Sequence, residues 1–394
     1  MTPTTLLLNA DFRSLSPNTY SDDSLFTAFQ IQKLGGSASI NRLTTKVWGH
    51  TFDGYVDPAT ARCGTLFDAL DGSNVSGLVI EGYRANALGD QSWADLPVTN
   101  GTAVWSTGPT GVNLPPARGF ILQSTAAGDC YIQLAGPFPL LANSQVALSY
   151  ALLGNDALIG FNVDGGGIVS LAGDTRAWVW NVVTVSTGAA PANFRIGFTA
   201  IGAGETRAFA FPQAELESGT SPILDGARLP ETLASPMAPL LENGRLSIEW
   251  DLVPEVEYYL PATPYTELLY ADATNHVRLA FDPAALPFPA YRMEVTINGQ
   301  TVQSDPIGWL RGVRLRLFLV CGNGPAKLAF GFGNDSPICC SGAFVGTQGP
   351  WSTALYGKLM GRDDITVRQL SSVVLAIRCY QNGDRPDWVG CVCG

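Results

Sequence analysis

Charge is scarce in this chain: Asp, Glu, Lys and Arg together make up 14% of 394 residues, and the only lysines are Lys33, Lys46, Lys327 and Lys358. Glu/Lys-rich helical repeats are missing, which argues against a coiled coil or a charged helical bundle. The net charge of −11 repels a phosphate backbone and excludes nucleic acid as the expected ligand. Long apolar runs are absent too. Leu315 to Cys321 is far shorter than a membrane-spanning helix, and Asn155 with Asp156 interrupts the stretch from Leu148 to Val163. The opening MTPTTLLLNADF has no basic segment ahead of its short apolar run, so the expectation is synthesis in a cytosol without a secretion signal.

Catalytic and cofactor signatures are equally sparse. His50 and His276 are the only histidines and stand far apart, so a Ser-His-Asp site would have to form around one of them alone. No serine sits in a G-x-S-x-G turn. The strings GNGPAK and DGGG lack the register of a phosphate-binding loop and read as turns. Cys339-Cys340 and Cys391-x-Cys393 do not have the two-residue spacing of a zinc half-site and have no histidine nearby. Neither a metal nor a cofactor is expected.

What the chain does have is glycine (43), proline (26) and small polar residues, the mixture used by short strands joined by tight turns. Alternating segments recur at Leu78–Tyr83, Ala103–Ser106, Gly119–Gln123, Cys130–Leu134, Gln145–Leu153, Leu158–Val163, Ala177–Val185, Phe194–Ala200 and Thr206–Phe211. That spacing predicts an antiparallel sandwich or jelly roll. The last of these strands would place Phe209 and Phe211 on one face. Residues 223–244 hold Pro230, Pro236 and Pro239 and read as a stiff linker. A second series of strands begins near Leu246. The expected layout is residues 1–60 as an arm or the first strands of domain one, 61–222 as the first sandwich, 223–244 as linker and 245–394 as the second sandwich.

The string FAFPQAELESGTSPI, with Gln213, Glu215, Leu216, Glu217, Ser218 and Gly219 in the matching places, resembles the closing segment of carbohydrate-module-like jelly rolls in tailed-phage fibres, spikes and tail proteins. In the second half, Asn275, Arg278 and Leu279, followed by Gly357, Leu359 and Gly361, resemble two signatures of concanavalin A-like and laminin-G-like sandwiches. These resemblances imply an all-β protein of two tandem antiparallel sandwiches, a jelly roll and then a concanavalin A-like domain. They also imply a place on the surface of a virion or phage-like particle.

The aromatic residues are the candidates for ligand contact, because sugar rings present apolar C–H faces. Trp309 and Trp351 stand in Gly- and Pro-flanked contexts near Asp305 and Arg311, and Tyr356 follows closely. Trp178 and Trp180 share one strand face, which either fills a core or paves a sheet. In EWDLVPE, Glu249 and Asp251 would also share a face, but the patterns of sandwich glycosidases are E-x-D-x-E or E-x-D-x-x-E, and Glu255, after Pro254, comes one residue too late even for the longer one. They read as a solvent-facing edge of the first strand. His276, after Asn275, reads as a loop residue. Cys321 and Cys379 fall in strands and are expected to be buried thiols. Cys391 and Cys393 are candidates to cross-link with Cys339 or Cys340 after release into an oxidising medium.

The function expected from these features is that of a fibre, spike or decoration subunit that binds host surface polysaccharide and contacts other particle proteins. It would act as a homo-oligomer, a trimer or, on a capsid vertex, a pentamer. A purely structural joining role and a surface glycosidase are the alternatives.

Overall fold

The structure is a computed structural model of the chain. It describes residues 6–12, 30–31, 36–37, 39–41, 46–48, 54–56, 63–67, 74–80, 82–89, 91–108, 119–140, 142–161, 168–171, 174, 176–189, 192–215, 227–254, 265–282, 285, 287, 289–308, 313–333, 344, 346–362, 372–381, 386 and 389. Its described elements are strands and two short 3₁₀ turns, Trp93–Asp95 and Ala238–Leu240. All the strand pairings are antiparallel, so the expected all-β class is observed.

Two sandwiches account for most of the described residues. Sheet I of the larger one runs in the order Gly36–Ser37, Gln30–Ile31, Leu6–Asp11, Ser372–Tyr380, Arg245–Pro254, Leu315–Cys321, Lys327–Phe332, with Asn74–Ile80 also paired to Ser372–Tyr380. Sheet II runs Gln300–Gln303, Ala290–Ile297, Asn275–Asp282, Tyr265–Asp272, Tyr356–Met360, Thr232–Pro236, Ser39–Asn41. Side chains alternate along each strand. Ile248, Trp250 and Leu252 from sheet I therefore meet Val277, Leu279, Met293 and Val295 from sheet II in one core. The Trp250 indole N–H is satisfied within that core by the Leu359 carbonyl at 3.2 Å.

The smaller sandwich lies between residues 86 and 215. Sheet III is Val98–Thr99, Gly128–Ala135, Asn193–Ala200, Ala157–Phe161, Ile168–Leu171. Sheet IV is Gly101–Ser106, Gly119–Ser124, Thr206–Glu215, Gln145–Leu153, Val179–Ser186. Trp93, Phe120, Phe161, Phe194 and Phe209 fill the space between them. Trp93 stacks on Phe120 at 5.9 Å, and Phe120 on Phe209 at 5.3 Å. Phe211 departs from the expected shared face. Its φ of 53° and the register shift opposite Ser149–Ala151 form a bulge, so Ala214 and not Phe211 joins Phe209 in the core cluster.

The strand pairing differs from the expected layout. Leu6–Asp11 pairs with Ser372–Tyr380, and Ser372–Val374 pairs with Leu78–Ile80. Segments expected to open the first sandwich thus complete the sheet that holds the last strand. The stretch read as linker contributes Thr232–Pro236 to sheet II, and its Ala227–Arg228 pairs with Arg84–Ala85 in a short ribbon. The smaller sandwich is an insertion within the larger, with that ribbon where the chain leaves and returns. Strand pairing is a long-range choice, so alternation in each segment cannot specify its partner.

Candidate functional site

The outer face of sheet III carries a polar surface built by alternation on two neighbouring strands, Gly128–Ala135 and Asn193–Ala200. Cys130 and Ile132 point into the core, which turns Asp129, Tyr131 and Gln133 outward. Phe194, Ile196 and Phe198 do the same for Asn193, Arg195, Gly197 and Thr199. The register then sets Asp129 opposite Thr199, Tyr131 opposite Gly197 and Gln133 opposite Arg195. A Cβ at Gly197 would lie 2.6 Å from that of Tyr131, so this position needs glycine for the tyrosine to pack across the strand.

These side chains hold one another in place. The Arg195 guanidinium lies 4.3 Å from the Tyr131 ring centroid, and its Nε donates to Gln133 Oε1 at 2.7 Å. Gln133 Nε2 donates to Asn193 Oδ1 at 3.4 Å, and Thr199 Oγ1 donates to Asp129 Oδ1 at 2.7 Å. Ile168, 39% exposed, lies on the next strands beyond Arg195 and Gly160. The result is an array of donors, acceptors and one aromatic–guanidinium stack. Its geometry is largely pre-set, so little side-chain freedom remains to be lost on binding.

The outer face of sheet II carries a second cluster. Glu267 stands opposite Arg278, and Tyr270 opposite both His276 and Lys358. Arg278 Nε donates to both Glu267 oxygens at 3.2 Å, and the Glu267 side chain is 0% exposed. Arg278 also lies 4.4 Å over Tyr265, Arg362 lies 4.4 Å over Tyr270, and the His276 ring stacks on Tyr270 at 6.5 Å. Burial pushes the Glu267 carboxyl up to about 7, against the pull of Arg278 and Arg362. Burial and the nearby Arg278 push His276 down to about 4. His276 therefore belongs to a strand and is buried, where the sequence suggested a loop.

Opposite pH effects follow from this adjacency. Unfolded Glu267 ionises near 4.5 but the folded one near 7, so its contribution to stability falls as pH rises through that window. Unfolded His276 takes a proton near 6.5 but the folded ring only near 4, so its contribution rises with pH between those values. Each slope is about 1.4 kcal/mol per pH unit, and the two offset each other where the windows overlap. Relative to the parent chain, Glu267→Gln should therefore gain stability as pH rises from 4.5 to 6.5, and His276→Gln should lose it. Urea titrations across that range check this, and difference profiles of the same sign would rule it out.

The carboxylates of EWDLVPE occupy a third place, the outer face of sheet I. Arg245–Pro254 is an inner strand, flanked by Ser372–Tyr380 and Leu315–Cys321, and not an edge. Glu249 is 2% exposed and Asp251 1%. Arg314 grips Asp251 through Nε at 2.7 Å and Nη2 at 2.6 Å. Arg378 bridges Glu249 at 3.2 Å and Asp11 at 2.9 Å, and the Tyr380 hydroxyl donates to Glu249. The solvent-facing reading of this pair is therefore corrected: both carboxylates are buried and bonded to arginines. Glu255 lies outside the described residues.

The sequence-derived aromatic set is dispersed. Trp351 is 2% exposed within the large core, which removes it as a surface platform. Tyr356 is 51% exposed on sheet II, and Trp178 is half-buried just ahead of Val179–Ser186. Trp180 is placed opposite Ala151 on the edge strand of sheet IV. Trp309, Arg311, Cys339, Cys340, Cys391 and Cys393 lie outside the described residues. Cys321 and Cys379 are buried free thiols, as expected, and burial pushes Cys321 up to about 12.

No family model and no curated protein matches the chain. Among solved structures, a xylan β-1,4-xylosidase from Bacillus halodurans C-125 aligns over 88% of this chain and 74% of its own, at 9% identity and a TM-score of 0.28. A mutant of the GH43 protein BlXynB from Bacillus licheniformis aligns over 88% and 83%, at 9% identity and a TM-score of 0.27. Superpositions at that level carry no argument about fold or chemistry.

Proposed function

We infer that the chain is a surface subunit of a tailed phage or phage-derived particle, a fibre, spike or decoration protein that binds host surface polysaccharide. The observation that carries this reading is the outer face of sheet III. There Tyr131, Arg195, Gln133, Asn193, Asp129 and Thr199 present a stack and pre-set polar groups without a paired, accessible carboxylate set. Such a surface can hydrogen-bond sugar hydroxyls while the ring takes an apolar sugar face. The finer fold reading is a jelly roll inserted into a concanavalin A- or laminin-G-like sandwich. It is supported by the small sandwich's repeated crossing between sheets III and IV and by the sequence signatures around Gln213 and Asn275. A homo-oligomer, trimeric on a fibre or pentameric on a capsid vertex, would multiply a weak site into useful avidity.

The test is binding of the purified full-length protein to host capsule and cell-wall polysaccharides on an array. Arg195→Ala or Tyr131→Ala should weaken the positive signals about tenfold, equivalent to about 1.4 kcal/mol, while leaving the melting temperature within a few degrees. No signal on any host glycan would leave the chain as a structural joining protein. Release of new reducing ends from a bound polysaccharide would overturn the binding-only role.

A further inference from the structure

We propose that the smaller sandwich carries a self-association interface, in which the Ile201 tip of one copy of this chain seats against the Gly101–Ser106 edge strand of the next. Of the five large apolar side chains exposed among the described residues, only Tyr356 lies on the larger sandwich, and Val104, Trp105, Ile168 and Ile201 lie on the smaller one. Ile201 is the extreme case, at 91% exposure. Its turn is fixed from behind. Glu205 Oε1 accepts the backbone N–H groups of Ile201 and Gly202 at 2.7 and 2.9 Å, Ser124 Oγ donates to the Gly202 carbonyl at 2.8 Å, and the Gly204 N–H donates to the Ser124 carbonyl at 2.8 Å. The turn also protrudes, since a Cβ at Gly202 or Gly204 would meet nothing within 4 Å. It stands at the end of Thr206–Glu215 away from Ala214, whose carbonyl takes the Ala87 N–H beside the ribbon that joins the two sandwiches. Ile201 is therefore a preformed apolar knob that needs little ordering on binding.

The edge strand supplies the matching surface. Among the described residues Gly101–Ser106 is bonded on one side only, to Gly119–Ser124, in an unbroken register. It exposes Val104 at 56% and Trp105 at 42%, and it has none of the charges, prolines or bulges that ordinarily guard a sheet edge. Tryptophan is among the residue types enriched at protein interfaces. Charge selects a second copy as the occupant. A chain of net charge −11 repels itself, but residues 200–204 and the edge strand hold no charged side chain. Glu205 behind the tip is turned to the backbone and to Arg207 at 3.7 Å. Tip and edge are different surfaces, so each contact is heterologous, and repeated around a rotation axis it closes into a ring. Each contact involves far fewer than the about 20–30 residues a side of a standard interface. Closure, in which every copy uses both surfaces, is what makes the assembly stable.

This interface specifies the homo-oligomer of the function inferred above and rests on that part of the reading alone. Sedimentation of the full-length protein should show a closed oligomer. Ile201→Glu and Val104→Glu should each raise the concentration of half-assembly at least tenfold and, being surface changes, leave the melting temperature within a few degrees. Tyr356→Glu on the larger sandwich should leave assembly unchanged. Mixing the two disrupted variants tests the pairing itself. The Val104 variant keeps an intact tip and the Ile201 variant an intact edge, so the mixture should show a two-copy species that neither variant shows alone at the same concentration. A tip-to-tip or edge-to-edge contact could not be restored in this way. A monomeric parent, assembly indifferent to either variant, or a mixture that stays monomeric would each overturn the proposal. An assembled parent that binds no glycan would count only against the sugar-binding role.

Discussion

A fragment of residues 240–394 is expected to remain unfolded on its own, whereas a fragment of residues 82–215 is expected to fold. The first would carry Ser372–Tyr380 with one flank stripped, because Asn74–Ile80 and Leu6–Asp11 cover that flank in succession. It would also lose Leu7, Leu8, Phe12, Leu78, Ile80 and Leu233 from the core, all at most 3% exposed. At about 1.5–3 kcal/mol for each buried large apolar side chain, the loss is on the order of 10 kcal/mol. Net domain stability is about 5–15 kcal/mol, so little or none would remain. The second fragment keeps both sheets of the small sandwich and its whole aromatic core. Circular dichroism and thermal melts decide the matter. A cooperative melt from residues 240–394 would show that the N-terminal strands are dispensable.

The second large effect lies at Asp251. Asp251→Ala is expected to lower unfolding free energy by about 3–5 kcal/mol, because the Arg314 guanidinium would lose its two-pronged acceptor while staying 11% exposed. Arg316, directly across the ladder from Asp251, adds a second positive charge to the same neighbourhood. Desolvation makes a buried pair weakly stabilising against an apolar pair but costly to break on one side. The double change Asp251→Leu with Arg314→Met should therefore recover at least half of the single-variant loss. Guanidinium titrations of the two variants and the parent provide the comparison. A single-variant loss below about 1 kcal/mol would mean that the pair is not desolvated as its burial indicates. By the same reasoning, a Glu249 variant is expected to lose stability, since Arg378 and Tyr380 hold that carboxylate inside the structure.

Several surface and core assignments were within reach of local pattern. Asp129-Cys130-Tyr131-Ile132-Gln133 and Asn193-Phe194-Arg195-Ile196 alternate polar and apolar residues, and that signal alone puts Tyr131 and Arg195 on exposed faces. What the pattern omits is that the two strands are neighbours, in a register that sets Gln133 opposite Arg195. Tryptophan positions therefore give no hint of the surface cluster formed by Tyr131 and Arg195. Trp351 shows the converse: its Gly-Pro approach suggested an exposed loop, yet the turn folds its indole into the large core.

The sequence by itself determined the all-β class, most strands between residues 101 and 211, and the buried thiols of Cys321 and Cys379. Each follows from period-two alternation and turn residues, which act over a few positions. Tertiary structure alone decided that the first strand pairs with the last, that the Pro-rich stretch supplies a strand to sheet II, and that Glu249 and Asp251 are enclosed. Those outcomes depend on which strand edges meet and what covers the outer faces. They are long-range contacts between segments from 63 residues apart, as for Asp251 and Arg314, to 369 apart, as for Asn9 and Arg378, and local composition leaves them open.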